Sequence, residues 1–280
     1  MTKIIKKEFK YKKCEYTYLD DTLKTYNNMD DEKIDMNSQF RIGSMSKMLV
    51  MLAFLISKDN KMLQLSDKVS KYIPSNKNND FDTITILQLL NHEAGLPHNP
   101  NEKIIKEYKS MSEVVDTFIN EKLFKYEIGK YLYSNVGYLI LGCILEKIYD
   151  SNYTIIIQKI ILNPLKMTST IIGKGNITLY SKDIIELSGD KYNEIYFAGG
   201  AGGYSSTCSD WLKFVTNFNK LLKKSTLKTI ISFYPFKGSN KLKLNFIHGG
   251  SIYGGKSHFD TTYTPKWELI DVNIKFDTIA

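Results

Sequence analysis

Arginine is nearly missing from this chain of 280 residues: Arg41 is the only one, although lysine is abundant enough to leave a formal net charge of +8. Without guanidinium forks the bidentate grip on phosphate is lost, and the lysines are scattered from Lys3 to Lys275 rather than gathered in a block. A dedicated nucleic-acid partner is therefore not expected, beyond weak attraction to polyanions. Cysteine is scarce: Cys14, Cys143 and Cys208 are odd in number and unpatterned. That excludes a disulfide framework and suits a reducing compartment. Long apolar runs are missing too. The greasiest, Leu49 to Ile56, falls far short of the ~18–20 residues of a membrane helix. Met1-Thr2-Lys3-Ile4-Ile5-Lys6-Lys7 is followed by no apolar stretch and no small-residue cleavage site. No secretory signal and no membrane partner are expected, and the expected location is cytoplasmic.

What is present is an ordinary globular composition, 42% hydrophobic and 24% charged, with enough chain for one core or two lobes sharing a cleft. No repeat or linker breaks it. Residues 8–28 carry β-rich runs such as Phe9-Lys10-Tyr11 and Tyr16-Thr17-Tyr18-Leu19, broken by Asp20-Asp21, which predict a hairpin. From Ser44 to Lys58 apolar residues cover most of a helix surface, so that helix is central. Further helices are predicted over Thr85–Asn91, Ser112–Asn120, Asn135–Tyr149, Tyr153–Ile161 and Cys208–Leu222. Strand-like runs follow at Leu242–His248, Lys256–Tyr263 and Trp267–Phe276. The pattern predicts an α+β fold: one antiparallel sheet built from both chain ends, flanked by helices, with a helical lobe inserted. The division expected is a single domain over 1–280, an α/β lobe from about 1–75 and 185–280, and a helical lobe over about 76–184.

Three short patterns carry chemistry. In Ser44-Met45-Ser46-Lys47 a helical spacing of three puts hydroxyl and amine side by side. A serine hydroxyl needs a base, and a lysine in a dry pocket can have its pKa lowered enough to be one. The same spacing recurs at Ser188/Lys191 and Ser225/Lys228, where the alternative, a solvated helix turn, is the better reading. Only Ser44 opens a strongly apolar helix. Tyr133-Ser134-Asn135 starts another helix. Its phenol can be held as phenolate or relay a proton, and its amide can accept from a lysine while donating to a substrate. The plainer alternative is a buried Tyr with an Asn helix cap. His248-Gly249-Gly250-Ser251 ends a strand-like run. Small residues there let a substrate backbone approach, and the N–H groups of Ser251 and Ser44 could hold an oxyanion. A hairpin turn with an incidental histidine is the alternative.

Taken together and in this order, Ser-x-x-Lys, Tyr-x-Asn and His-x-Gly resemble the three-motif signature of the β-lactamase-related serine hydrolases. The penicillin-binding version is Ser-x-x-Lys, Ser-Asp-Asn and Lys-Thr-Gly. Tyrosine in the second motif and histidine in the third bring the chain nearest the class C-like branch, with its D-amino-acid peptidases and esterases. Phe40-Arg41-Ile42-Gly43-Ser44, Ile84 to Pro97, Tyr133-Ser134-Asn135-Val136-Gly137-Tyr138 and Gly202-Gly203-Tyr204-Ser205-Ser206 are similar to further family segments. The likeness runs from about residue 38 to about residue 255.

The resemblance implies a β-lactamase/transpeptidase-like fold and acyl transfer on an amide, ester or lactam carbonyl of a small molecule or peptide. Ser44 is the implied nucleophile, with Lys47 and Tyr133 handling the proton. Asn135 orients the substrate, His248 lines the opposite wall, and the Gly250–Ser251 segment with Ser44 supplies the oxyanion donors. No cofactor and no metal are implied. Family members usually carry a helix before the first strand and another after the last, for which this chain has little room. The expectation is a sheet face covered by a partner copy, or a catalytically silent scaffold. His92 and His98 are six apart across Gly95 and Pro97, not the i, i+4 pair of a zinc helix. The glycines at 199–203 lack a following Gly-Lys-Ser/Thr and read as a tight turn. Cys143 and Cys208 read as buried packing.

Overall fold

Both ends of the chain meet in one sheet. The computed structural model describes residues 12–17, 22–27, 34–74, 80–99, 115, 126–173, 175, 200–236, 238–252 and 255–278. In chain order come β1 (Lys12–Thr17), β2 (Thr22–Asn27) and β3 (Phe40–Arg41). A 3₁₀ turn at Gly43–Met45 then leads into α1 (Ser46–Asp59). Next are α2 (Ile86–Leu90), α3 (Asn135–Tyr149) and α4 (Tyr153–Ile157), the last running into a π turn at Gln158–Leu162. Then follow β4 (Ile171–Ile172), β5 (Tyr204–Ser206), α5 (Cys208–Asn217), α6 (Lys224–Ile230), β6 (Leu244–Ile252), β7 (Gly255–Tyr263) and β8 (Leu269–Thr278).

The main sheet has the order β2-β1-β8-β7-β6, antiparallel throughout, so the expected joining of the two ends is what the chain does. Strand alternation divides its faces. Phe246, Phe259, Thr261, Val272, Ile274 and Phe276 are buried on the inner face. There they meet α5, with Trp211 5.5 Å from Phe259 and Phe214 6.3 Å from Phe246 between ring centroids. The outer face carries Lys256, His258 and Asp260, all exposed, and the half-buried Asp271, Asn273 and Lys275. Charged and amide side chains on that face favour water rather than an apolar cover. Ile247 on β6, paired with Asp260, adds an exposed apolar side chain to the same face.

α1 is hydrophobic all round because it is surrounded. All but two of its residues, Ile56 and Lys58, are buried. α2 starts at a capping box, Thr85 with Gln88. α3 starts where Ser134 caps it, the hydroxyl accepting from Gly137 N–H at 3.1 Å, and ends at Asp150 with φ 46°. These two helices and the hairpin follow the sequence expectations closely. A second sheet, β3-β5-β4, was not expected, nor was α6. The helix expected over 112–120, apart from Val115, lies outside the described residues, as do Ser188, Lys191 and Gly199.

Candidate active site

The nucleophile candidate sits in a turn clamped from three sides. Ile42 N–H donates to Tyr204 O on β5 at 3.0 Å, and Ser257 Oγ on β7 donates to Ile42 O at 2.7 Å. Ser46 Oγ accepts from Tyr204 N–H at 3.3 Å. Gly43 holds φ at +47°, a left-handed conformation that suits glycine. Ser44 therefore lies in the 3₁₀ turn and not in the α-helix expected to start with it; α1 begins two residues later. Its side chain still meets Lys47, with Nζ 3.0 Å from Oγ.

β6, the edge strand, presses against this turn. A Cβ on Gly250 would lie 2.1 Å from Ile42 O and 2.7 Å from Ser44 N; one on Gly43 would lie 3.0 Å from Ser251 N. Gly250 thus has a different reason from the one read in sequence. The backbone that approaches it in the fold is that of Ile42 and Ser44. The same closeness sets the Gly250–Ser251 segment of β6 beside the turn that carries Ser44.

Lys47 is fully buried. Its amine reaches Ala201 O at 2.6 Å, Asn135 Oδ1 at 2.7 Å and Ser44 Oγ. Among the described residues no carboxylate lies within ion-pair distance of it. Burial holds its pKa well below the ordinary lysine value, because an ammonium without water or counter-ion is costly. Three oxygens surround the amine, and Nζ donates to Ala201 O, Asn135 Oδ1 and Ser44 Oγ, while burial disfavours its charge. Tyr133 OH donates to Ser44 Oγ at 2.6 Å, so the serine oxygen accepts from both Tyr133 and Lys47. Burial pushes the Tyr133 phenol up to about 12, so the phenol and not the phenolate is the resting form.

Asn135 is the first residue of α3 rather than its cap. Its Oδ1 accepts from Lys47, and its Nδ2 donates to Asn99 Oδ1 at 2.6 Å. Asn99 was not singled out in the sequence; it stands in a loop with no pattern around it. The Ala201 carbonyl was missed too, since any residue type supplies one. Ser225 and Lys228 are exposed on α6, as the solvated-turn reading has it. Ser44, Lys47, Tyr133 and Asn135 thus form one hydrogen-bonded cluster, with Gly250 and Ser251 against its turn. His248 is near but not bonded into it. It is buried on β6, its Nδ1 donates to Gly249 O at 2.6 Å, and its ring meets Tyr234 edge-on at 5.7 Å. Tyr234 stacks on the half-exposed Tyr131 at 5.1 Å, giving the cluster an aromatic flank.

Two histidines near the cluster share the burial that lowers Lys47. Burial first, then the nearby Lys47, lowers His92 to about 2 and His248 to about 3. The unfolded chain takes up a proton at each below its ordinary value near 6.5, and the folded chain refuses it. Stability is therefore complete above pH 6.5 and falls as pH drops toward 3, by up to about 1.4 kcal/mol per pH unit for each group. The thermal midpoint is expected to hold steady from pH 8 to 7 and to fall between pH 6 and 4, less steeply in His248→Gln. A midpoint unchanged down to pH 4 would contradict the burial of both rings.

A serine hydroxyl bonded to both a buried lysine and a buried tyrosine is a grouping that acyl transfer can use. Comparison with known proteins addresses the family and the fold. A family profile described as Beta-lactamase matches residues 20–234. Protein flp of Staphylococcus aureus (strain MRSA252) is 29% identical over 157 residues, 54% of this chain and 32% of that protein. The match thus spans about a third of the length of this curated relative. Among solved structures, a D-stereospecific amidohydrolase from Streptomyces sp. superposes with a TM-score of 0.76 and 18% identity, over 96% of this chain and 89% of that one. A class C β-lactamase gives 0.74 and 17%, over 96% and 86%. At such identities the two structures speak for the fold, which is β-lactamase/transpeptidase-like. Because the profile covers well over half of the residues, the chain belongs to the β-lactamase family.

Proposed function

We propose that this chain is a serine hydrolase that cleaves an amide, ester or lactam carbonyl through an acyl intermediate on Ser44. The observation that carries the reading is Lys47: fully buried, without a carboxylate partner among the described residues, and in contact with Ser44 Oγ. Lys47 Nζ takes the Ser44 proton as Oγ bonds to the carbonyl carbon, and the amides of Ser44 and Ser251 receive the negative oxygen. Tyr133 hands its proton to the leaving nitrogen or oxygen, and the proton held on Lys47 restores the phenol. Water then attacks the acyl carbon by the reverse proton path and frees Ser44. Asn135 holds Lys47 in place and, with Asn99, offers an amide to the substrate.

A catalytically silent scaffold is the competing reading. It has no use for a fully buried amine without a carboxylate partner among the described residues, an arrangement that costs folding stability and is kept where chemistry needs it. The likeness to an amidohydrolase and a class C β-lactamase supports a substrate panel of p-nitrophenyl esters, D-amino-acid anilides and a chromogenic cephalosporin. Wild type is expected to turn over at least one of them, and Ser44→Ala to lose more than ~10³-fold of that rate while melting normally. Equal turnover by Ser44→Ala, or none by folded wild type across the panel, would overturn the proposal.

A further inference from the structure

His92 received no role from the sequence, where it stood within the Ile84–Pro97 segment and as half of a rejected metal pair. In the fold it stands at the turn after α2 with φ at +61°, 2% exposed. Three of its groups meet the segment that carries Tyr133. Its carbonyl accepts from Leu132 N–H at 2.7 Å. Its Nδ1 accepts from Ser134 N–H at 3.1 Å. Its ring stacks on the Tyr133 ring, centroids 4.4 Å apart and planes at 29°. Residues 131–134 are neither helix nor strand, so no ladder fixes them, and buried N–H groups there must find partners elsewhere. His92 supplies partners on both sides of Tyr133 and a surface beneath it. Tyr138 and Tyr234 pack on the imidazole at 5.1 and 5.4 Å, which fixes the ring in turn.

We infer that His92 is a positioning residue: it holds the Tyr133 phenol against Ser44 Oγ and thereby sets how well a leaving group is protonated. The inference rests on the hydrolase reading above and concerns one step of it. Because Nδ1 accepts, the imidazole carries its proton on Nε2, and only the neutral ring can serve. Burial and the nearby Lys47 keep it neutral at every ordinary pH. A hydroxyl displaced by even a fraction of an ångström from a 2.6 Å contact no longer delivers its proton efficiently.

A leaving-group comparison separates positioning from general structural support. p-Nitrophenolate leaves without a proton, whereas an alkoxide or amine needs one. Damage to the fold lowers both rates by one factor and leaves their ratio unmoved. His92→Phe keeps a ring but loses the acceptor. His92→Asn keeps an acceptor and tolerates positive φ but loses the stack. The ratio of p-nitrophenyl ester to alkyl ester turnover is expected to rise at least ~10-fold in His92→Phe, in the same direction as in Tyr133→Phe, with KM within about twofold of wild type. His92→Asn is expected to fall between wild type and His92→Phe, and it carries the comparison should the phenylalanine variant not fold. A ratio unchanged from wild type in a folded variant would overturn the role of His92. Wild-type turnover dependent on Ser44 is established first on the p-nitrophenyl ester, so its failure counts against the hydrolase reading and not against His92.

Discussion

Lys47→Arg is expected to abolish acylation of Ser44, although the change keeps the charge that the residue type formally carries. Arginine stays protonated at any pH a protein tolerates, so it has no lone pair to receive the serine proton. General-base assistance is worth ~10²–10⁴-fold, and a loss toward the upper end is expected because Lys47 is the one basic nitrogen bonded to Ser44 among the described residues. The larger guanidinium must also fit a fully buried site, so a lower melting temperature should accompany the loss. Lys47→Met separates the two effects: it fills similar space without a base and should be equally inactive. In wild type the acylation rate should climb with pH as Lys47 loses its proton and level off well below pH 10.5, with Tyr133 setting an upper limit only near 12. A stopped-flow acylation profile that rises only above pH 10 would contradict a depressed lysine. Activity retained by Lys47→Arg would remove it as the base.

Gly250→Ala should be strongly damaging for a single added methyl. The new Cβ would lie 2.1 Å from Ile42 O, 2.7 Å from Ser257 Oγ and 2.7 Å from Ser44 N. Two of these neighbours are backbone, so no rotamer change relieves the clash, and β6 must move away from the nucleophile turn. Overpacking of this kind costs about 1–3 kcal/mol or more. The catalytic cost is greater, because Ser44 and the amide of Ser251 separate. Misplacement by about 1 Å can lower rate ~10²-fold, and loss of an oxyanion donor is worth ~10²–10³-fold. Turnover is expected to drop at least ~10²-fold with a measurable fall in melting temperature. Gly249→Ala is milder, since the nearest atoms to its Cβ are Ser257 O at 3.3 Å and His258 Nδ1 at 3.5 Å. Equal effects of the two substitutions would contradict the assigned packing.

The sequence shows some of this directly and hides the rest for physical reasons. Ser44 and Lys47 are legible because their contact is local, and Asn135–Tyr149 because helix periodicity marks it, although the cap is Ser134 and not the Asn135 that the sequence suggests. The hairpin and the three last strands announce themselves by alternation and turn residues. The β3-β5-β4 sheet does not: strands of two and three residues leave no period to read. Contacts across long separations are equally silent. That Gly250 must be small because of Ile42, and that His92 braces a tyrosine forty-one residues later, are facts of tertiary packing. Both residues were visible in the sequence, one given a substrate-facing reason and the other none. The resting phenol of Tyr133 likewise follows from burial, which no spacing reveals.

The central claim is that Ser44 is an activated nucleophile. It is tested most directly by intact-protein mass spectrometry after exposure to a fluorophosphonate and, separately, to a penicillin, followed by peptide mapping. The account predicts a single adduct on wild type that maps to Ser44 and is missing from Ser44→Ala and Lys47→Met. Folded wild-type protein unlabelled by either reagent, or an adduct that persists in Ser44→Ala, would contradict it.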